Sequence, residues 1–405
     1  MNPKSLSCVH GMIILMVLQI ALMAHSPHVN AETDLTGFIN AVGGYATARP
    51  TLGYEADTAT FNRDSSIGIQ ISHDISPQIT ATGQLVAKGA DDFETEAAWA
   101  YLTYRLSDSA RFRMGRFRAP FFMYSDFLNV GYAQHWIRAP DEVYGLQFDS
   151  VNGVDLNYNM SFGRLDGKIQ MYFGSSQETF NFTRQDAALD VRLREQMGVI
   201  GTANYGWFTA RISFHQATHM TIDNFAELPL PSPLNSIAGL RDAILAFDAA
   251  YDLGANADFL INHLDVRDVA VEFSEAAIRM QWTHFFLIAE GTLLTFDDSP
   301  LAKQRRHLVS AGTNWHDVTL YATYARANDE PVDLASSLPN IAEARNLRRT
   351  LHQLTHSLSL ESETTTLGLR YDLDAGAAFK FEVSENIIPQ QNQSNLIRFG
   401  FQLVF

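Results

Sequence analysis

The chain has 405 residues, 45 acidic side chains against 29 basic ones, and a formal net charge of −16. That balance excludes a nucleic-acid-binding surface, which needs a basic face, and bears on partners and solubility rather than on fold. Length alone suggests two or three soluble domains, yet no linker, low-complexity tract or composition break divides the chain.

The N-terminus has the layout of a secretory signal peptide. Lys4 gives a basic start, residues 11–24 are almost wholly apolar, and Val29-Asn30-Ala31 supplies a small-x-small cleavage pattern. Residues 1–31 are therefore expected to be removed, with Glu32 as the mature start. The apolar run falls short of the roughly 18–20 residues of a spanning helix, and no later run approaches that length. Cys8, the one cysteine, precedes the apolar run, which argues against a lipoprotein. The mature chain thus has no disulfide to stabilise it. Removal of the leader takes away Lys4 alone among the charges, so the mature chain is more acidic still. If such a chain lives in a membrane, it does so as strands.

Alternation of apolar and polar residues, the mark of a strand whose faces meet different solvents, recurs along the chain. Ile67, Ile69 and Ile71 alternate with Gly68, Gln70 and Ser72; Val154, Leu156, Tyr158 and Met160 oppose Asp155, Asn157 and Asn159. Ile169, Met171 and Phe173 oppose Lys168, Gln170 and Tyr172, and Phe208, Ala210, Ile212 and Phe214 oppose Thr209, Arg211, Ser213 and His215. Leu367 to Leu373 and Phe379 to Val383 follow the same rule. A sandwich core would refuse so many charged residues on one face. Short turns fall near Ser76-Pro77, 107–110, 163–167, Tyr205-Gly206, Thr283, 314–316 and 374–376. The alternate connections are long: 48–62, 119–150, 175–195, 218–271, 297–306 and 328–362, with shorter ones near 89–95 and 387–394. Short turns on one rim and long loops on the other define a transmembrane antiparallel up-and-down β-barrel. Seven short turns imply 16 strands.

Residues 111–118, Arg-Phe-Arg-Met-Gly-Arg-Phe-Arg, are the sharpest charged feature. Arg111 and Arg113 share one phase and Arg116 and Arg118 the other, so Gly115 is expected to be a bulge. Facing lipid, an arginine costs about 2–4 kcal/mol at the midplane, so these side chains are expected to line water. The loop that follows, 119–150, carries Phe121, Phe122, Met123, Phe127, Leu128, Trp136 and Ile137, too much apolar surface to hang in solvent. Folding it into the lumen would bury that surface. Arg113, Arg116 and Arg118 would then face Asp126, Asp141 and Glu142 across a constriction, to which Arg138 also belongs, whose transverse field sorts solutes by size and charge.

Two later stretches read as helices inside outer loops. Leu234, Ile237, Leu240, Ile244, Phe247 and Tyr251 fit a helical face that Gly254 would end. Read as a hairpin about Gly254, the same stretch would raise the count to 18 strands. Ile341, Leu347, Leu351 and Leu354 mark 333–358 as helical too. In the last eleven residues Ile397, Phe399, Phe401, Leu403 and Phe405 fall on every second position and leave an aromatic face for lipid.

That ending resembles the assembly signal of bacterial outer-membrane barrels, here Phe401, Leu403 and Phe405. Gly115-Arg116-Phe117-Arg118-Ala119-Pro120, the run from Tyr124 to Tyr132, Trp136 to Tyr144 and Thr364 to Tyr371 are similar to proteobacterial members of the Gram-negative outer-membrane porin superfamily. The resemblance implies a 16-stranded barrel, a third outer loop that narrows the pore, and a homotrimer. It also implies outer-membrane lipid, lipopolysaccharide and the barrel assembly machinery as partners. The expected function is passive diffusion of small hydrophilic solutes or ions, with no cofactor and no metal. A substrate-selective channel with a capture site in the outer loops is the second reading, since 234–264 and 333–358 are longer than a general porin needs. A barrel enzyme is the third, because His135 lies near Ser125, Asp126 and Asp141 in sequence. His215 and His219 lack an obvious third ligand.

Overall fold

A strand in hydrocarbon must satisfy every backbone N–H and C=O through its neighbours. The only arrangement that leaves no open edge is a closed ring. The computed structural model describes residues 32–405 apart from 147, 149, 183–186 and 390, and the expected signal peptide lies outside the described residues. Sixteen strands form the ring, with a two-residue strip, Ala59–Thr60, added at one rim. β1 (Thr33–Ala46), β2 (Ser66–Ser76), β3 (Ile79–Lys88) and β4 (Thr95–Arg105) come first, then β5 (Ala110–Arg118), β6 (Ser150–Phe162), β7 (Leu165–Phe182) and β8 (Ala187–Tyr205). β9 (Phe208–Ile222), β10 (Val269–Gln281), β11 (Phe285–Phe296) and β12 (Lys303–Trp315) follow, and β13 (Val318–Glu330), β14 (Glu361–Asp374), β15 (Ala377–Ile387) and β16 (Ser394–Val404) complete the set. Each pairs antiparallel with its sequence neighbours, and β1 pairs with β16 from Phe38↔Val404 to Ala46↔Leu396.

Seven short turns on one rim alternate with the connections of the other rim around the ring, so the count of 16 holds and the 18-strand alternative falls. The region 234–264 is helical: α2 (Ile237–Tyr251) and α3 (Ala255–His263) follow a one-turn α1 (Asp141–Tyr144) earlier in the chain, and α4 (Arg345–Ser357) comes later. The Ser236 side chain accepts the Gly239 N–H to start α2. Asp252, at φ 51°, ends it rather than Gly254, because the Asp248 carboxylate takes the N–H groups of Leu253 and Gly254. The expected helix at 333–358 is confined to α4. The expected outer loop at 175–195 is strand instead: β7 and β8 stay paired from Leu165↔Tyr205 to Phe182↔Ala187, with one bulge at Gly174/Ser176. Leu189, Val191 and Leu193 there are buried, the reverse of the lipid zone, where the apolar phase is the exposed one.

Side chains sort by that ring. On β16, Ile397, Phe399 and Phe401 are 39%, 41% and 53% exposed, while Arg398 and Gln402 between them are 7% and 1% exposed. Phe162, Tyr205, Trp207, Trp282, Phe285 and Trp315 are all exposed beside the short turns, and Trp207 stacks on Trp282 at 5.3 Å. This is an aromatic girdle at one membrane interface. Gly115 is not a bulge, since the register from Ala100↔Arg116 to Arg105↔Arg111 is unbroken. Its φ is 134°, and a Cβ would stand 2.2 Å from the Ala100 carbonyl oxygen, so the close approach of β4 demands glycine.

The seam is closed by the last residue. The Phe405 N–H donates to the Gly37 carbonyl at 3.0 Å, the Gly37 N–H donates to the Phe405 carbonyl at 2.8 Å, and the Phe405 ring covers Gly37. Deleting Phe405 removes both bonds, a loss of about 1–3 kcal/mol. The expected outcome is a lower temperature at which the folded band converts to the unfolded one in an unheated-versus-heated gel.

Candidate functional site

Residues 119–149 leave β5 and return to β6, its immediate neighbour, yet in between they cross the ring to the far wall. The apolar side chains drive the crossing. Phe121, Phe122, Trp136, Val143 and Tyr144 are buried in one cluster with Phe273, Phe286, Leu308 and Tyr321 from the wall. Polar wall groups satisfy the loop backbone. Lys380, fully buried, donates from Nζ to the carbonyls of Gly131, Gln134 and Trp136 at 2.8, 2.7 and 2.6 Å. Arg370 donates to the carbonyls of Tyr132 and Gln134, both at 2.7 Å. Glu382 accepts the Ile137 N–H at 2.9 Å, Gln402 donates to the Ile137 carbonyl at 2.8 Å, and Trp136 donates its indole N–H to Thr323 at 2.8 Å. On the other flank Arg211 donates to the carbonyls of Pro120 and Phe121, and Glu290 accepts the Met123 N–H at 3.1 Å and the Tyr144 hydroxyl.

A second buried charge group ties the loop to the β1–β2 connection. Asp64 takes Arg398 at 3.1 Å and Arg138 at 3.2 Å, and the Tyr54 hydroxyl donates to it at 2.9 Å. Arg398 also reaches Glu382 at 2.7 Å, and Arg138 reaches Asp141 at 3.1 Å. Burial works to raise the Asp64 carboxyl, but Arg398 and Arg138 outweigh it and hold it below the usual carboxylate range.

With 119–149 held against β13–β16, open space remains on the opposite side. A cavity of about 410 Å³ lies between the loop tip and the wall of β7–β10. Pro120, Phe122, Met123, Tyr124, Asp126 and Phe127 form its loop face, and Lys168, Gln170, Thr202, Arg211 and Arg279 are among the wall residues. On the anchored side, beside Arg138, Asp141 and Glu142, the space is only about 20 Å³.

A family profile described as Gram-negative porin matches residues 19–386. The chain belongs to the Gram-negative porins. It is accordingly a passive outer-membrane channel. Its barrel is similar to an anion-selective porin from Comamonas acidovorans (10% identity, 93% of this chain and 100% of that one, TM-score 0.55). It is also similar to the outer-membrane channel DcaP of Acinetobacter baumannii (11%, 93% and 97%, 0.54) and to OmpT, an outer-membrane protein of Vibrio cholerae, in a trimer form (11%, 93% and 99%, 0.51). No curated protein matches it by sequence.

In this porin the residues singled out from sequence do not form two facing rows. Arg113 is bidentate on Asp155 of β6 at 2.8 and 3.1 Å, with its guanidinium 5.3 Å from the Tyr101 ring. Arg116 pairs with Glu178 at 3.3 Å, and Arg118 is buried. Glu142 is buried against Thr364 and Ser362 of β14, and Asp141 is on Arg138. Of the seven, only Asp126 lines the large cavity. Arg113, Arg116, Arg138, Asp141 and Glu142 each find a local partner, because a charge taken out of water must be compensated locally. The wall cations at the cavity are Lys168, Arg211 and Arg279. Their signal was present in the alternation, where Lys168 and Arg211 occupy the watery phase of β7 and β9.

The candidate catalytic set is not assembled. His135 Nε2 is 2.9 Å from Ser310 Oγ, and its ring lies 3.9 Å from that of Trp136. Burial first, then Lys380 and Arg370, push its imidazole well below its ordinary pKa. Ser125 Oγ accepts the Phe122 N–H at 2.9 Å instead. His215 is buried against the Tyr172 hydroxyl, while His219 sits beside Glu195 and Asp268. Among the described residues no group of three metal-ligating side chains occurs.

Loosening the hold on the loop should be visible in single channels. Lys380→Met leaves three carbonyls without their donor, at about 1–3 kcal/mol each before water replaces it, and is expected to raise open-channel noise and conductance substates. Acid should act in the same direction through Asp64. Its pKa is depressed by folding, so the stability it contributes is present above about pH 4 and lost as pH falls below that. Asp64→Asn should remove that part of the acid response in a bilayer titration.

Proposed function

We propose that the porin passes small hydrophilic solutes through the gap between the tip of 119–149 and the wall of β7–β10, and that this gap is its constriction. The observation that carries the reading is the open cavity with Asp126 on one side and Lys168 and Arg279 on the other, against the filled space behind the anchored side of the loop. A carboxylate facing two cations across water sets a field transverse to the path, which orients dipolar solutes and weights small ions by sign. Arg113, at β5 beside this gap, adds to the field in part, since Asp155 offsets its charge. Arg116, Arg118, Arg138, Asp141 and Glu142 act in this reading by holding the frame, through the ion pairs and buried contacts described above.

The residues before Glu32 serve here as a cleaved export signal, and Phe401, Leu403 and Phe405 as the strand handed to the barrel assembly machinery. Outer-membrane lipid and lipopolysaccharide meet the exposed apolar belt. The working unit is a homotrimer, for which a band at three protomers on an unheated gel is the check.

A selective capture role for the outer loops has one observation in its favour. α4 presents Arg345, Arg349, His352 and His356 on its exposed face, spaced along one side of the helix. Its other side, Leu347, Leu351 and Leu354, packs with Ile237, Leu240 and Ile244 of α2 into the cluster that includes the crossing loop.

Planar-bilayer recording tests the channel and its constriction together. Stepwise KCl conductance is expected from purified protein. Asp126→Asn should shift the reversal potential toward anions and Lys168→Gln with Arg279→Gln toward cations. Unchanged reversal potentials in both variants would remove these residues from the narrowest point.

A further inference from the structure

The charges around the large cavity do not cancel. Arg211 is spent: it forms a buried ion pair with Glu275, and its other contacts are the carbonyls of Pro120 and Phe121. Arg113 is matched by Asp155. Glu290 is held by the Met123 N–H and the Tyr144 hydroxyl and is not among the residues that line the cavity. Lys168 and Arg279 remain, and neither has a carboxylate partner among the described residues. Arg279 is exposed and donates only to the Gln281 side chain at 3.3 Å. Against these two cations stands one free carboxylate, Asp126. Among the side chains that line the cavity the excess is one positive charge, inside a chain that is strongly acidic overall.

The loop face opposite those cations is apolar in a place where polarity would be expected. Phe127, next to Asp126 and lining the cavity, leaves 54% of its surface exposed. Tyr124 and Phe122 flank it, with their rings packed on Trp136 and Tyr144, so the platform is fixed. An exposed phenyl ring costs hydration free energy for as long as it is bare. Covering it with a flat apolar body would recover that energy, and ring pairs add a further directional preference.

We infer that this cavity is a transient binding site for a flat, aromatic monoanion, whose carboxylate meets Lys168 and Arg279 while its ring lies on Phe127 and Tyr124. The inference rests on the channel reading and names the solute class within it. A volume of about 410 Å³ is at the small end of ligand pockets. It admits a benzoate-sized molecule with its water. One net positive charge matches a monoanion, and Asp126 works against a second negative charge on the solute. Two charge contacts open to water and one open ring face give weak binding, as conduction requires of a site that must release what it takes in.

The test is a planar-bilayer titration of the purified porin in symmetric KCl with benzoate, acetate, phthalate and benzyl alcohol as probes. Benzoate is expected to produce saturable current block or excess noise at a concentration at which acetate, phthalate and benzyl alcohol have little effect. Arg279→Gln and Lys168→Gln should each raise the half-blocking benzoate concentration roughly tenfold, the loss expected for one charge-assisted hydrogen bond. Phe127→Ala should bring benzoate close to acetate. The folded, heat-convertible gel band confirms that each variant has assembled. Absence of any KCl conductance from the assembled protein would overturn the channel reading itself. Normal conductance with benzoate no more effective than acetate, or with benzoate block unchanged in the Lys168 and Arg279 variants, would overturn this inference and leave the channel standing.

Discussion

One buried ammonium group holds the functional geometry in place. Lys380 projects from β15 into the ring and gives its three donors to three carbonyls of the crossing loop, with Arg370 adding two more bonds to the same stretch. Burying a lysine without such partners would be prohibitive. With them the ammonium substitutes for the β-ladder that residues 129–137 lack. The loop backbone is satisfied, its aromatic side chains can leave water, and the lumen is divided into a filled side and an open side. The open cavity exists because the opposite half is closed.

The barrel wall makes that division possible. Each strand offers its apolar phase to hydrocarbon, so the inner phase is free to carry charge without cost to the lipid-facing surface. Lys380, Glu382 and Arg398 are therefore available at one level of β15 and β16 to grip the loop, and Arg211 and Glu275 at another. Above the hydrocarbon the requirement reverses. In the upper part of β7 and β8, and in α2, α3 and α4, apolar residues turn inward and merge with the loop aromatics into a single cluster, so the outer loops form a packed cap rather than loose chain.

The charged residues of 111–118 show how far sequence reasoning reaches. That four arginines on one strand must avoid lipid follows from their solvation alone. Which carboxylate each finds does not. Arg113 meets Asp155, 42 residues away, across an adjacent strand pairing, and Glu142 meets Thr364, 222 residues away, across the ring. The acidic residues of the loop were legible as a set, but only Asp126 is placed on the open side. The cations that face it, Lys168 and Arg279, come from turn-proximal ends of β7 and β10 that nothing in the sequence connects to residue 126. The helix end at 252 rather than Gly254 has a similar origin, since an Asp248 carboxylate competes successfully for the backbone donors there.

The sequence by itself favoured 16 strands over 18 and determined the placement of the short turns and most of the long loops, the lipid-facing phase of the alternating segments and the aromatic closing strand. All of these are imposed by a bilayer that leaves backbone groups no partner but a neighbouring strand, and a period of two is readable residue by residue. Only the tertiary structure decided where 119–149 lies, which of its charges are spent in ion pairs and which remain beside open water. Those outcomes depend on distances between segments far apart in the chain, and compensation of a buried charge is settled by whichever partner the closed ring brings nearest.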